Sequence, residues 1–594
     1  MVHIEVLQAD RTDTTTQRAA QTGVYPKYEL HDKPVENSRP IKVIVVGAGY
    51  SGVYCGIRIP EKIKNCELVI YEKNAGVGGA WYENRYPGCA CDVPSHSYQY
   101  SFNPNPNWSA LYAPAAEIRK YIEDTARKYS VHRFVKLQHK VEGCRYDAAE
   151  GKWHVKVRRP GGEVFEDVAD VLVSARGNLN HQAWPEIDGL RSFKGEVMHS
   201  ACWNESYDFT NKRVGIIGSG SSAIQIIPNL RKTAGVHLDC FIRGRTWISP
   251  PFAQKIQDEL GMSSFQFSEE QRAKFKNDPE YFLNFRRKIE EDGNAAHHVT
   301  IRGTEMQKAA MPYFEKSMKQ RLARRPDIYD KLKPGFFPGC RRLTPGPGFL
   351  EALVEDNVSY VDTPIQRIEP KGIVTSDGKL HEIDALVCAT GFHVSSAPPF
   401  PVTGLSSLPL SKHWSTRAST YLSLATDSFP NMFIMLGPNA AIGSGSLTLM
   451  IESTGDYIVK CIRKLQKENI KSMAVKPRRV HDFLAYADAY FATTVFTDDC
   501  RSWYRTGDKI TGLWPGSTLH CIETLRSPRW EDYEYEYRDE AQGNQLAWLG
   551  NGFSELQIEK DRDMAFYLRK EFADPPRDPR PEEAELYGVR TWSY

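Results

Sequence analysis

Ile41-Lys-Val-Ile-Val-Val46-Gly47-Ala-Gly49-Tyr-Ser-Gly52 is the stretch that decides the fold. Its largely apolar, β-branched opening reads as a buried strand, and the glycines that follow at once end it. Glycines at Gly47, Gly49 and Gly52 let a strand turn tightly into a helix and let the backbone approach a pyrophosphate, which rests on the helix N-terminus. A second strand, Glu67-Leu-Val-Ile-Tyr71, is closed by Glu72. That acid stands about 20 residues after the last glycine, where a carboxylate accepts both ribose hydroxyls of an adenosine. Strand, glycine turn, helix and acid-ended strand together read as a dinucleotide-binding α/β unit.

The pattern begins again at Arg213-Val-Gly-Ile-Ile217, followed by Gly218-Ser-Gly220-Ser221-Ser-Ala223. Alanine is permitted at the third position, where helix packs on strand. Ser221 and Gln225, in the first turns of the expected helix, are grouped with this second nucleotide site. The position equivalent to Glu72 is Arg243. A carboxylate repels a 2′-phosphate, whereas a guanidinium binds it through charge-assisted hydrogen bonds. The first site therefore suits FAD and the second NADPH, with hydride passing from nicotinamide to flavin.

The 594 residues exceed one core, and two to four domains are expected. A net charge of +2 gives no global field for nucleic acid or an anionic membrane. No apolar run reaches the roughly 18 residues of a spanning helix. Met1–Pro40 is polar and lacks a signal-peptide core, so a soluble, intracellular, cytoplasmic protein is expected. The 12 cysteines are scattered, against a disulfide framework. Cys89 and Cys91 are too close for a redox pair and have no partners for zinc, so no metal site is expected. Trp153–Val157 alternates like a hairpin strand, Val171–Ser174 reads as a buried one, and further sheet is expected near Val358 and Ala385–Cys388. Residues 251–335 are charged and helical in period, with Asp278 and Pro279 as a helix start and Tyr281, Phe282, Phe285 and Ile289 on one face. Tyr533, Tyr535 and Tyr537 alternate like a strand or extended wrap.

Between the glycine motifs lies Phe193-Lys-Gly195-Glu-Val-Met-His199-Ser-Ala-Cys-Trp203, preceded by Gly78-Gly79-Ala-Trp81-Tyr-Glu-Asn-Arg85-Tyr86-Pro87-Gly88-Cys-Ala-Cys-Asp92. Both resemble signatures of type I Baeyer–Villiger monooxygenases. The related N-oxygenating flavin monooxygenases usually carry Tyr or Phe where Trp203 stands. Asn204 departs from the Pro or Asp common after that Trp. Asp384–Phe392 resembles the segment returning the chain to the FAD domain, and Phe429–Pro438 that domain's second half. The resemblance runs from about residue 41 to about residue 525.

It implies two Rossmann-like domains: 41–190 and 381–526 forming a discontinuous FAD domain, 191–250 and 336–380 an NADP domain, with 251–335 a helical insertion. Residues 1–40 are then an N-terminal arm and 527–594 a C-terminal extension. It also implies a reaction in which NADPH reduces FAD, dioxygen adds to give a flavin peroxide, and a ketone becomes an ester or lactone.

In Gly339-Cys-Arg341-Arg342-Leu-Thr-Pro, Arg342 matches the catalytic arginine and Arg341 the 2′-phosphate ligand; local alignment also admits the exchange of the two. Asp92 is implied to hold the arginine beside the flavin, with Gly79, Trp81, Arg85, Tyr86 and Pro87 shaping the pocket. His199 is implied to be structural, coupling the NADP domain to the flavin site, with Trp203 packed beside it. Trp503 matches the loop tryptophan that contacts NADP, and Gly445-Ser446-Leu447 the lining of the ketone pocket. The alternative is an N- or S-oxygenating flavin monooxygenase.

Overall fold

The computed structural model describes residues 29–30, 32–35, 38–262, 264–394, 397–538, 544–559 and 561–569. Strand β1 (Ile41–Val46) turns at Gly47 into helix α1 (Tyr50–Lys62), and β2 (Cys66–Tyr71) follows. After α2 (Ala115–Lys128) come the edge strand β3 (Val135–Lys136) and a meander of β4 (Lys140–Asp147), β5 (Lys152–Arg158) and β6 (Val164–Ala169). The meander is antiparallel and contains the alternating Trp153–Val157 segment. Strand β7 (Val171–Ser174) then pairs with β1, Val43 opposite Val171.

A second sheet begins with β8 (Glu196–His199) and β9 (Arg213–Ile217), which leads into α3 (Ser221–Leu230) and β10 (His237–Phe241). Helices α4 (Glu269–Asn277), α5 (Pro279–Ala295) and α6 (Glu305–Arg321) intervene before β11 (Val358–Val361) and β12 (Ala385–Cys388). Strand β13 (Met432–Ile434) and helices α7 (Leu447–Lys467) and α8 (Pro477–Ala492) follow.

The first sheet has the order β13-β7-β1-β2-β3 and the second β11-β10-β9-β12-β8. Every pairing in both is parallel. Parallel strands are covered on both faces, which is why their sequences run apolar without alternation. Ala385–Cys388 corrects one expectation: it does not join the FAD-domain half but lies in the second sheet, hydrogen-bonded between β9 and β8. All four of its residues are buried there, and the chain departs only after it, at Ala389.

The 251–335 segment is helical as expected. Asp278 Oδ1 accepts the Tyr281 N–H at 2.9 Å and Pro279 takes the first helical position. Phe282, Phe285 and Ile289 of α5 pack with Phe267, Phe275, Leu111 and Tyr112. Each such buried phenylalanine contributes about 2–3 kcal/mol of apolar transfer. Phe314 and Met318 of α6 instead join the core beneath the second sheet.

Tyr533–Tyr537 is a strand. A smaller unit gathers the described residues up to Ser38, Lys467–Asn469 and those from Tyr537 on. Within it, Val35 N–H donates to Phe553 O and Asn551 N–H to Lys33 O. Residues 1–28 of the expected N-terminal arm and 570–594 of the extension lie outside the described residues. Among those described, no helix is long and apolar enough to cross a membrane.

Candidate active site

The two glycine turns are built alike. Gly47 has φ +105°, and a Cβ there would lie 2.7 Å from Ala175 O. Gly218 has φ +134°, and its Cβ would lie 2.4 Å from Ala389 O. Only glycine fits either place, because the return strand's carbonyl closes against the turn. The outer faces are open. A Cβ on Gly49 would meet only Gly79, its Cα at 3.4 Å and its N at 3.7 Å, and one on Gly220 nothing within 4 Å. Two open backbone cradles, each before a helix, fit the pyrophosphates of two dinucleotides.

Glu72 is 3% exposed and braces the first turn. One carboxylate oxygen accepts Ala48 N–H and the other Asn74 N–H, both at 2.8 Å. Burial raises its pKa, and these bonds oppose the rise. A carboxylate has about four acceptor sites, so two remain for ribose hydroxyls.

At the second cradle, Ser221 Oγ lies 3.1 Å from Thr344 Oγ1. Arg243 is exposed beyond β10. Arg341 donates Nη1 to Arg245 O at 3.0 Å, and a Cβ on Gly244 would stand 3.5 Å from that nitrogen and 3.6 Å from Ser219 Oγ. Burial and the charge of Arg501 push Arg341 below its usual range. A cluster of guanidinium groups of this kind suits a 2′-phosphate. Gln225, grouped with the nucleotide residues, is engaged otherwise. Its Oε1 accepts from Tyr86 Oη at 2.9 Å and its Nε2 donates to Ala90 O at 2.9 Å. It ties α3 to the Tyr86–Cys91 segment.

Asp92, from the first half of the chain, meets Arg342, from the segment before β11. Arg342 Nε donates to Oδ2 at 2.7 Å and Nη2 to Oδ1 at 2.5 Å, a bidentate pair. Burial alone would lower the guanidinium pKa, but Asp92 outweighs it and raises the value. Arg342 is thus a fixed cation with one edge occupied. The adjacent arginines are separated by their partners: Asp92 holds Arg342, and the Arg243–Gly244–Arg245 turn holds Arg341.

Sequence reasoning missed two phenols here. Tyr504 is 1% exposed, and its hydroxyl lies within the influence of Arg342. Burial pushes its hydroxyl up to about 12 against the opposing pull of Arg342, so it stays protonated. Tyr98 feels both Arg342 and Asp92, and its hydroxyl accepts from Trp81 Nε1 at 3.2 Å. Tyr504 neighbours the noted Trp503 and was discoverable; nothing in the sequence singles out Tyr98.

A further correction concerns the cysteines. Cys340 and Cys500 form a disulfide, Cα to Cα 6.4 Å, while the ten other cysteines are free. The partners are 160 residues apart, so no spacing announces the bridge. It links the Arg341–Arg342 segment to the one carrying Trp503 and Tyr504. Trp503 is half-buried, its ring edge-on to Tyr504 at 4.6 Å.

The 193–203 signature is structural in geometry. Phe193 is buried, and a Cβ on Gly195 would lie 2.2 Å from Asp384 O. His199 is fully buried, with Nε2 3.1 Å from Gly391 O and Nδ1 accepting Ala201 N–H at 3.1 Å. Burial lowers its pKa, so it is neutral with the proton on Nε2. The rings beside it are Trp184, at 5.4 Å, and Phe392, at 5.8 Å, not Trp203, which stacks on Phe209 at 5.5 Å. Ser446 Oγ donates to Ser97 O at 2.9 Å, bringing the Gly445–Leu447 turn beside Tyr98.

Residues 45–115 match the model of an NAD(P)-binding Rossmann-like domain. The chain is 38% identical over 538 residues to the "FAD-binding monooxygenase tazF" of Aspergillus terreus, covering 89% of this chain and 95% of that one. It is 31% identical over 494 residues to a Baeyer-Villiger monooxygenase of Pseudomonas aeruginosa, covering 81% and 89%. The closed crystal structure of cyclohexanone monooxygenase superposes with a TM-score of 0.72 at 25% identity, over 84% of this chain and all of that one. Steroid monooxygenase bound to NADP gives 0.69 at 27%, with the same coverage. With two cradles, an arginine–carboxylate pair and relatives matched along nearly their whole length, the chain belongs to the FAD-binding monooxygenases of the type I Baeyer–Villiger family.

Proposed function

We propose that this protein catalyses the oxidation of a ketone to an ester or lactone with NADPH and dioxygen, releasing water and NADP. The first cradle, with Glu72, takes FAD; the second, with Arg243 and Arg341, takes NADPH. Bound FAD, reduced by NADPH, supplies the activation of dioxygen. The protein's own part is electrostatic. Negative charge that develops on oxygen during attack on a carbonyl needs a fixed positive donor in a shielded site. Arg342 offers its free N–H groups for that purpose while Asp92 fixes its plane.

The bidentate Asp92–Arg342 bond is the observation that carries this reading. Tyr504 on Arg342 and Trp81 on Tyr98 extend its support. The test is Arg342→Ala with FAD bound. NADPH should still bleach the flavin, but no ester should form from any ketone. Ester formation at the wild-type rate would remove Arg342 from the reaction.

A further inference from the structure

The last turns of α5 carry acceptors that the protein does not satisfy. Glu290 Oε2 and Asn294 Oδ1 are both buried and have no hydrogen-bond partner among the described residues. They stand four residues apart, on one face of the helix. A buried acceptor without a donor costs about 1–3 kcal/mol, so a pair of them on one face is a sustained penalty unless something donates to them.

A succession of neighbours leads from them toward the Arg342–Asp92 pair. Ser97 lies close enough to the Glu290 carboxyl to lower its pKa, and its own carbonyl accepts from Ser446 Oγ. The next residue, Tyr98, feels the charges of Arg342 and Asp92. A Cβ on Gly445 would lie 3.0 Å from Asn294 Oδ1 and 2.4 Å from Thr518 Oγ1. The acceptors thus adjoin the Gly445–Leu447 turn. Arg286, one turn back, donates Nη2 to Ser101 O at 3.2 Å and makes no ion pair with Glu290 among the described residues. Burial raises the Glu290 pKa, and the charges of Arg286 and Glu452 act on it in opposite directions.

We infer that Glu290 and Asn294 form a specificity subsite that accepts hydrogen bonds from hydroxyl groups of the substrate, making the preferred substrate a hydroxylated ketone. This rests on the proposed ketone oxidation and names its substrate class. Both orphan atoms are acceptors, so they require a donor, and a neutral hydroxyl donates without the cost of burying an ammonium. A plain hydrocarbon ketone would leave both oxygens unpaired, and a site built around a polar group rejects the analogue lacking it.

The experiment uses the FAD-loaded enzyme and a positional set of hydroxyindanones, with indanone and the matching methoxyindanones. Ester formation gives kcat/KM for each, and calorimetry gives binding of each to the holoenzyme. At least one hydroxyindanone should exceed both its methyl ether and indanone by about tenfold or more, the worth of one hydrogen bond to a charged or buried acceptor. Asn294→Leu and Glu290→Gln should each shrink that ratio severalfold while leaving the rate with indanone near wild type. Equal kcat/KM across the set, or a preference that both variants leave intact, overturns the inference. Should no ketone be converted, the proposed reaction fails, and calorimetry still decides the subsite. Tighter binding of a hydroxyindanone, lost in Asn294→Leu, supports it, and indifference to the hydroxyl overturns it.

Discussion

Replacing Asp92 by Asn keeps the shape of the side chain and removes its charge. Arg342 then faces a neutral amide that can accept only one of its two N–H groups and turns its own donors toward a cation. Two charge-assisted hydrogen bonds of about 1.5–3 kcal/mol each are at stake. The side chains of Arg342 and Asp92 are 31% and 15% exposed, so solvent screening discounts the sum. About 3 kcal/mol is a fair figure, which corresponds to roughly a hundredfold in rate if the arginine must be held for oxygen transfer. Flavin reduction by NADPH does not use the pair and should change by less than about threefold. The assay separates the two half-reactions: anaerobic bleaching of the flavin by NADPH, and ester yield per NADPH consumed in air. Asp92→Asn should bleach normally and turn NADPH consumption into hydrogen peroxide with little ester. Ester formation within about threefold of wild type would refute the claim that the carboxylate positions Arg342 for the reaction.

Arg243→Ala should cut the preference for NADPH over NADH by about tenfold, the worth of one charge-assisted contact to the 2′-phosphate, and an unchanged ratio would remove Arg243 from that role. Cys500→Ser, or reduction of the wild type, should lower thermal stability. The chain-entropy estimate for a bridge of 160 residues' separation is about 5 kcal/mol as an upper figure, and an unshifted Tm would mean the bridge constrains nothing. His199, depressed below 6.5 by burial, contributes stability that is complete above pH 6.5 and is lost as pH falls toward its folded value, because the unfolded chain takes up the proton first. His199→Gln should flatten that acid limb of Tm against pH, and an identical limb would assign it to other groups.

The dinucleotide units were legible because their physics is local. Gly47 and Gly218 are dictated by a carbonyl crossing close behind the turn, and Asp278–Pro279 by the needs of a helix start. Asp92 and Arg342 were each found by motif, yet their bidentate contact spans 250 residues and emerges only in three dimensions. Four features stayed hidden for the same reason. Strand Ala385–Cys388 has the apolar composition of either sheet, and only its pairing with β8 and β9 places it. The Cys340–Cys500 bridge and the Trp184–His199 contact join segments with no shared pattern. Gln225 occupies a nucleotide-site position by spacing, but its amide meets Tyr86 and Ala90 from a distant part of the chain.

The most direct test of the central claim follows one oxygen atom. The FAD-loaded protein is given NADPH, a panel of ketones and heavy-isotope dioxygen, and the products are weighed by mass spectrometry. An ester or lactone heavier than its ketone by one heavy oxygen, formed in step with NADPH oxidation and absent without NADPH, is the result predicted here. NADPH oxidation that yields only hydrogen peroxide with every ketone, or label that enters an amine or sulfide and never a ketone, would contradict it.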